Sequence, residues 1–137
     1  MDVTKLNGRY ISDKSENFEE YMKEAGVGLL TRKAAANLKV TIEIKTDGKH
    51  FTALQFSTFK NTSLEFNIGE EFEETTPDGR KFKSLVKIEG DKLVHYQNKI
   101  KDSDKDSKIT RYMEDENTLV TILECGNVVC KRFYKRE

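Results

Sequence analysis

A chain of 137 residues has the length of one ordinary domain. Its 24 basic and 24 acidic residues cancel, so no net field draws in nucleic acid or an anionic membrane. Charged residues reach 35% and the AVILMFWYC set only 36%, a thin supply for a solid core but one too regularly spaced for a disordered chain.

Taken in order, the chain offers a first strand over residues 6–12. Ser15-Glu16-Asn17 reads as the cap of a helix, with Glu19 and Glu20 suiting its dipole. Phe18, Tyr21, Met22 and Ala25 fall at i, i+3, i+4 and i+7, an amphipathic stripe. Gly26 and Gly28 stop that helix, and residues 29–36 (LLTRKAAA) form a second short one. The two must pack on each other, with Phe18, Met22, Leu29 and Leu30 expected to cover whatever lies beneath.

From Val40 the apolar period changes from 3.6 to 2. Turn signals recur at Asp47-Gly48, Asn61, Gly69, Pro77-Asp78-Gly79, Gly90-Asp91, 101–108, 115–117 and Gly126-Asn127, giving about nine further strands. The expectation is all-β: about ten antiparallel strands curled into an up-and-down barrel or clam, which removes exposed edges. No linker or repeat divides the chain, so residues 1–137 form one domain with a helical lid over about 16–37. Several strands are polar on both faces. In the last one Val128, Cys130, Arg132 and Tyr134 share a face, a pattern that a lumen holding water or a ligand explains and that an ordinary sandwich with ragged patterning would also show.

No apolar run approaches the roughly 20 residues that cross a bilayer, and MDVTKLNGRY lacks a secretory pattern. A soluble, cytoplasmic protein is expected. Cys125 and Cys130 flank a two-residue turn, where Cys125 faces Val128 and Cys130 faces Leu123. The thiols are then diagonal and expected to be free. His50 and His95 are far apart and lack partners at metal-ligand spacing. Asp102, Asp104 and Asp106 match the start of a calcium loop, but Ser107 stands where glycine is needed and Met113 where glutamate is needed. Neither a nucleophile motif nor a phosphate loop is present. No catalytic residue, metal or cofactor is therefore expected.

One local feature carries more chemistry. Arg111 lies between Ile109 and Met113 on one strand face, and Arg132 precedes Tyr134 on another. Such an arginine either points outward on a ragged strand or is an inward cation. An inward one must find an anion, and a ligand carboxylate suits a guanidinium well.

The segments SENFEEYMKEAGVG (15–28), STFKNT (57–62), GEEFEETTPDGRKFKS (69–84), KLVH (92–95) and RFYKRE (132–137), together with Gly8-Arg9-Tyr10, resemble the cytosolic lipid-binding proteins. That family comprises the fatty-acid-binding and cellular retinoid-binding proteins, and the resemblance runs in order along essentially the whole chain. It implies a lipocalin-like (calycin) clam of ten strands under a helix-turn-helix lid. It also implies a monomeric, non-enzymatic carrier that holds one long-chain fatty acid, with Arg111, Arg132 and Tyr134 as the carboxylate-binding trio. Phe59 matches the portal phenylalanine, while Phe18 and Met22 face the lid interior. Lys23, Arg32 and Lys33 match basic lid positions that act in membrane collision or nuclear import in some members, although as residues they also read as the wet face of two helices. Retinoic acid, with nuclear delivery, is the alternative ligand: GEEFEETTPDGR and the ending VVC-x-R-x-Y-x-RE look closest to that branch, whereas the lid and STFKNT look closer to the fatty-acid type. Tyr10 stands where the family commonly has tryptophan.

Overall fold

A computed structural model describes residues 1–137. A single 3-10 turn, Val3–Leu6, leads into β1 (Gly8–Glu16), then α1 (Phe18–Ala25) and α2 (Leu29–Ala35). Nine strands follow: β2 (Thr41–Thr46), β3 (His50–Phe56), β4 (Thr62–Asn67), β5 (Phe72–Thr75), β6 (Lys81–Glu89), β7 (Lys92–Lys99), β8 (Ser107–Asp115), β9 (Thr118–Cys125) and β10 (Val128–Arg136). Their order, β4-β3-β2-β1-β10-β9-β8-β7-β6-β5, is an antiparallel meander in which β1 pairs with β10. The expected ten-strand clam under two helices is what forms.

The two ends of the sheet, β4 and β5, share no hydrogen-bonded ladder. Aromatic rings bridge them instead. Phe66 of β4 stacks on Phe72 of β5 with centroids 4.8 Å apart, and on Phe51 of β3 at 5.0 Å. These rings belong to a lower core with Leu6, Tyr10, Val86, Leu93, Leu119 and Tyr134. A separate upper cluster joins Tyr21, Met22, Ala25 and Val27 to Cys125 and Cys130, which are free and buried. The register Cys125 to Val128 and Cys130 to Leu123 is the one that the Gly126-Asn127 turn implies.

Two local expectations are corrected. The first strand does not end at Ser12. After an irregularity between Ser12 and Ser15 it runs on to Glu16, because Ser15 and Glu16 pair with Arg132 and Lys131 of β10. Ser15 therefore belongs to a strand and does not cap α1. Asn17 stands at the cap position in the left-handed region (φ 61°), with its amide donating to the Val129 carbonyl at 3.2 Å.

The second correction concerns α2. Leu29 and Leu30 do not cover the barrel: they are 53% and 83% exposed, and no residue of α2 is buried. Gly26 (φ 93°) turns the chain, Val27 N donates to Met22 O at 2.9 Å, and Arg32 Nη1 donates to Val27 O at 2.6 Å. That rotation aims Thr31 and Ala35, one turn apart, at the interior. Leu29 is left on the opposite side.

Arg136 seals the far end of the barrel by donating to three carbonyls, Asn7 at 2.7 Å, Lys5 at 3.3 Å and Glu116 at 2.8 Å. Its guanidinium also lies 4.9 Å from the Tyr10 ring centroid. Gly8 makes room for it: at φ +146° a Cβ would stand 2.2 Å from Arg136 Nη1.

Candidate functional site

Beneath the helices lies a cavity of about 270 Å³, lined by α1, α2 and the inward faces of most strands. Such a volume far exceeds a packing defect. Its β7–β10 wall can be read from the pairing register as three rows of facing residues. Cys130, Leu123, Ile109 and His95 form the upper row, Arg132, Thr121, Arg111 and Leu93 the middle one, and Tyr134, Leu119 and Met113 the lower one. Arg111, Arg132 and Tyr134 all line the cavity, so both arginines are inward.

The arginines differ in what meets them. Arg132 donates from Nε to Ser15 Oγ at 3.0 Å, and its guanidinium stacks 3.9 Å from the Phe18 ring centroid and 5.4 Å from that of Tyr134. No carboxylate pairs with it. Arg111 faces His95, with Nη1 3.3 Å from Nδ1. His95 Nε2 lies 2.7 Å from Glu74 Oε1, which also accepts from Ser84 Oγ at 2.8 Å, while Gln97 Nε2 donates to Glu74 Oε2 at 3.1 Å. A guanidinium can only donate, so Nδ1 must accept and Nε2 must carry the proton given to Glu74. The result is a relay running Arg111 to His95 to Glu74. Burial alone would raise the Glu74 carboxyl, but the hydrogen bonds from His95, Ser84 and Gln97 outweigh it and hold the carboxyl below the usual glutamate range. Burial lowers the pKa of Arg111 and the Glu74 charge opposes that shift. A guanidinium remains charged under these conditions.

The cavity mouth combines helix and turn residues. Phe18 and Met22 of α1 line it, as does Phe59, 44% exposed in the β3–β4 connection. Across from them Arg80 pairs with Asp78 at 2.7 Å and donates to Ala25 O at 3.1 Å, tying the end of α1 to the β5–β6 turn. On its other side α1 is held by Tyr21, which donates to Ser107 at 3.1 Å, and by the Lys105–Glu24 pair at 2.8 Å. Of the basic lid residues, Lys23 and Lys33 are exposed, whereas Arg32 is engaged with Glu19 at 3.4 Å and with the Val27 carbonyl. Burial pushes the Cys130 thiol up to about 11, far from a nucleophile's range.

Sequence reasoning had no role for Glu74, Ser84, His95, Gln97 and Thr121, which complete this interior. Alternation along β7 places His95 and Gln97 on the same face as Leu93. The partner that satisfies them comes from β5, across β6, and no short-range pattern points to it.

A nearly closed antiparallel barrel with a ligand-sized lumen, a helical cap and inward-facing arginines has the architecture of a small-molecule carrier. The family described as "Lipocalin / cytosolic fatty-acid binding protein family" matches residues 7–137. The chain is 61% identical over 130 residues to the fatty acid-binding protein homolog 6 of Caenorhabditis elegans, covering 95% of this chain and 96% of that protein. It is also similar to the crystal structure of apo lipid binding protein 8 from the same organism, with TM-score 0.92 and 44% identity over 97% of this chain and 96% of that one. A Schistosoma mansoni fatty acid binding protein in complex with arachidonic acid matches with TM-score 0.90 and 35% identity, covering 100% and 99% of the two chains. The chain belongs to the lipocalin and cytosolic fatty-acid-binding protein family.

Proposed function

We propose that this protein is a non-enzymatic carrier that binds one long-chain fatty acid in its lumen, with the carboxylate held by Arg111, Arg132 and Tyr134. The observation that carries the reading is the charge balance inside. Arg80 is matched by Asp78 and Arg111 by Glu74 through His95, while Arg132 has no acidic partner. Lys60, the other cation that lines the cavity, is exposed and donates to the Pro77 carbonyl at 3.3 Å, which leaves one interior positive charge for one carboxylate. Burying about fifteen methylenes contributes roughly 12 kcal/mol gross, and ordering the chain offsets much of it. The head group then mainly sets orientation. Relatives named as fatty-acid-binding, one of them in complex with arachidonic acid, favour a fatty acid over retinoic acid. Mass spectrometry of organic extracts should find a long-chain fatty acid, and oleate should displace bound retinoic acid. Tighter retention of retinoic acid than of oleate would move the assignment to the retinoid branch.

The carrier is proposed to act as a monomer in the cytosol, where two buried free thiols persist, and to meet membranes through its lid. Leu29 and Leu30 expose apolar surface on the same pair of helices as Lys23 and Lys33, and Phe59 exposes more where it lines the cavity. Arg32, bound within the lid, holds the α1–α2 corner. Fatty-acid transfer to anionic vesicles is expected to accelerate with vesicle concentration and to slow with salt. Reversing the charges of Lys23 and Lys33 should remove both dependences. Transfer indifferent to vesicle concentration would mean release through water. The same positions are the place to test nuclear delivery.

A further inference from the structure

Thr121 holds the one buried side-chain polar atom of the protein that finds no hydrogen-bond partner. The residue is 5% exposed and lines the lumen. Its place in the wall is specific: Arg111 of β8 stands directly opposite on one side and Arg132 of β10 on the other. Facing residues of antiparallel strands are about 4.5–5.5 Å apart, so Thr121 sits midway between two arginines whose Cα atoms are roughly 10 Å apart across the sheet. Any group that both guanidiniums hold at once lies over this strand.

The neighbours do not use the hydroxyl. Arg111 directs Nη1 to His95, Arg132 directs Nε to Ser15, and Ser84 and Gln97 are committed to Glu74. An unpartnered buried hydroxyl is destabilising, and valine would fill the same volume without it. A hydroxyl is also a rotor that can offer its proton to an incoming anion. With Arg111 partly committed to His95 and Arg132 to Ser15, the roughly four acceptor positions of a carboxylate leave room for a donor from the strand between them.

We propose that Thr121 is a further head-group residue, its hydroxyl donating a hydrogen bond to the fatty-acid carboxylate between Arg111 and Arg132. This rests on the carrier reading and adds to the trio a donor from the floor of the site. It also predicts a preference for head groups small enough to reach the strand.

The test compares Thr121→Val, Thr121→Ser and Arg132→Gln with the unaltered protein, using oleate labelled with ¹³C at the carboxyl carbon. Thr121→Val should weaken oleate binding by roughly three- to tenfold, the scale of one hydrogen bond to an ionised group whose other donors remain. Thr121→Ser, which keeps the hydroxyl, should restore affinity to within about twofold. The carboxyl resonance of bound oleate should titrate at higher pH in the valine variant, because a donor to the charged form has been removed. A merely structural threonine would leave that titration unmoved. The empty valine variant should melt no lower than the unaltered protein. If Arg132→Gln loses affinity while Thr121→Val binds oleate normally with an unshifted carboxyl, the role of Thr121 is overturned and the carrier reading stands. Equal losses in the valine and serine variants would likewise overturn it, pointing to packing. If Arg132→Gln also binds normally, the head group lies elsewhere and both readings fall.

Discussion

Arg132→Gln is expected to weaken oleate binding by about 1.5–3 kcal/mol, the scale of hydrogen bonds to charged groups, which is roughly ten- to a hundredfold in affinity. The size of the effect follows from what Arg132 lacks. Its guanidinium touches a serine hydroxyl and two aromatic faces, with no carboxylate to neutralise it. A ligand carboxylate is the only anion that completes it, so the loss should be much smaller for methyl oleate, which brings no charge. The empty protein should keep its stability to within about 1 kcal/mol, since the lost stacking on Phe18 is offset by relief of an unpaired cation. Tyr134→Phe should cost less, about 0.5–1.5 kcal/mol, because the ring remains in place. Arg111→Gln should behave differently from Arg132→Gln. It too removes a charge from the lumen, but it strands Glu74 and should destabilise the empty protein. Calorimetry of the acid and its ester side by side checks the head-group claim, and equal losses for the two would sink it.

That contrast between two inward arginines was only half legible in the sequence. Alternation along Ile109-Arg111-Met113 and Cys130-Arg132-Tyr134 placed both on faces shared with apolar neighbours, and the register confirms a common wall. Period-2 patterning and turn residues also recovered the ten strands, because half-buried antiparallel strands must alternate. What the pattern did not reveal depends on partners distant in the chain. Glu74 reaches His95 across β6, Arg136 reaches Lys5 and Asn7 from the opposite terminus, and Ser15 is drawn into β1 by Arg132. The reversal of Leu29 and Leu30 has the same origin. Helical spacing identifies an apolar stripe but not which way a seven-residue helix is turned, and here the Gly26 turn and the Arg32–Val27 bond decide it. Local patterns thus gave the wall, and long-range hydrogen bonds set its electrostatics.

Those electrostatics make Glu74→Gln the most informative change for the empty protein. Glutamine keeps the shape and part of the hydrogen bonding but removes the anion that balances Arg111. Removing one partner from a buried pair typically costs about 3–5 kcal/mol, and a loss near the lower end is expected because the relay partly survives. The pH dependence fixes the cause. Glu74 has its carboxyl held below the usual glutamate range, burial notwithstanding, by donors from His95, Ser84 and Gln97. A carboxylate depressed on folding contributes stability that is present above its unfolded pKa and lost as pH falls through the folded value. The unaltered protein should therefore lose stability as acid reaches and passes the ordinary glutamate range, while the Glu74→Gln variant, already without that contribution, should show a flatter profile. The gap between the two urea midpoints should be widest near neutrality and close in acid. Ligand binding should move the other way. With Glu74 neutral the lumen carries a second unmatched positive charge, so oleate should bind the variant several-fold more tightly at neutral pH, and bound oleate should restore much of the lost stability. Parallel pH profiles, or an oleate affinity unchanged by the substitution, would show that Glu74 does not balance Arg111 in the empty barrel.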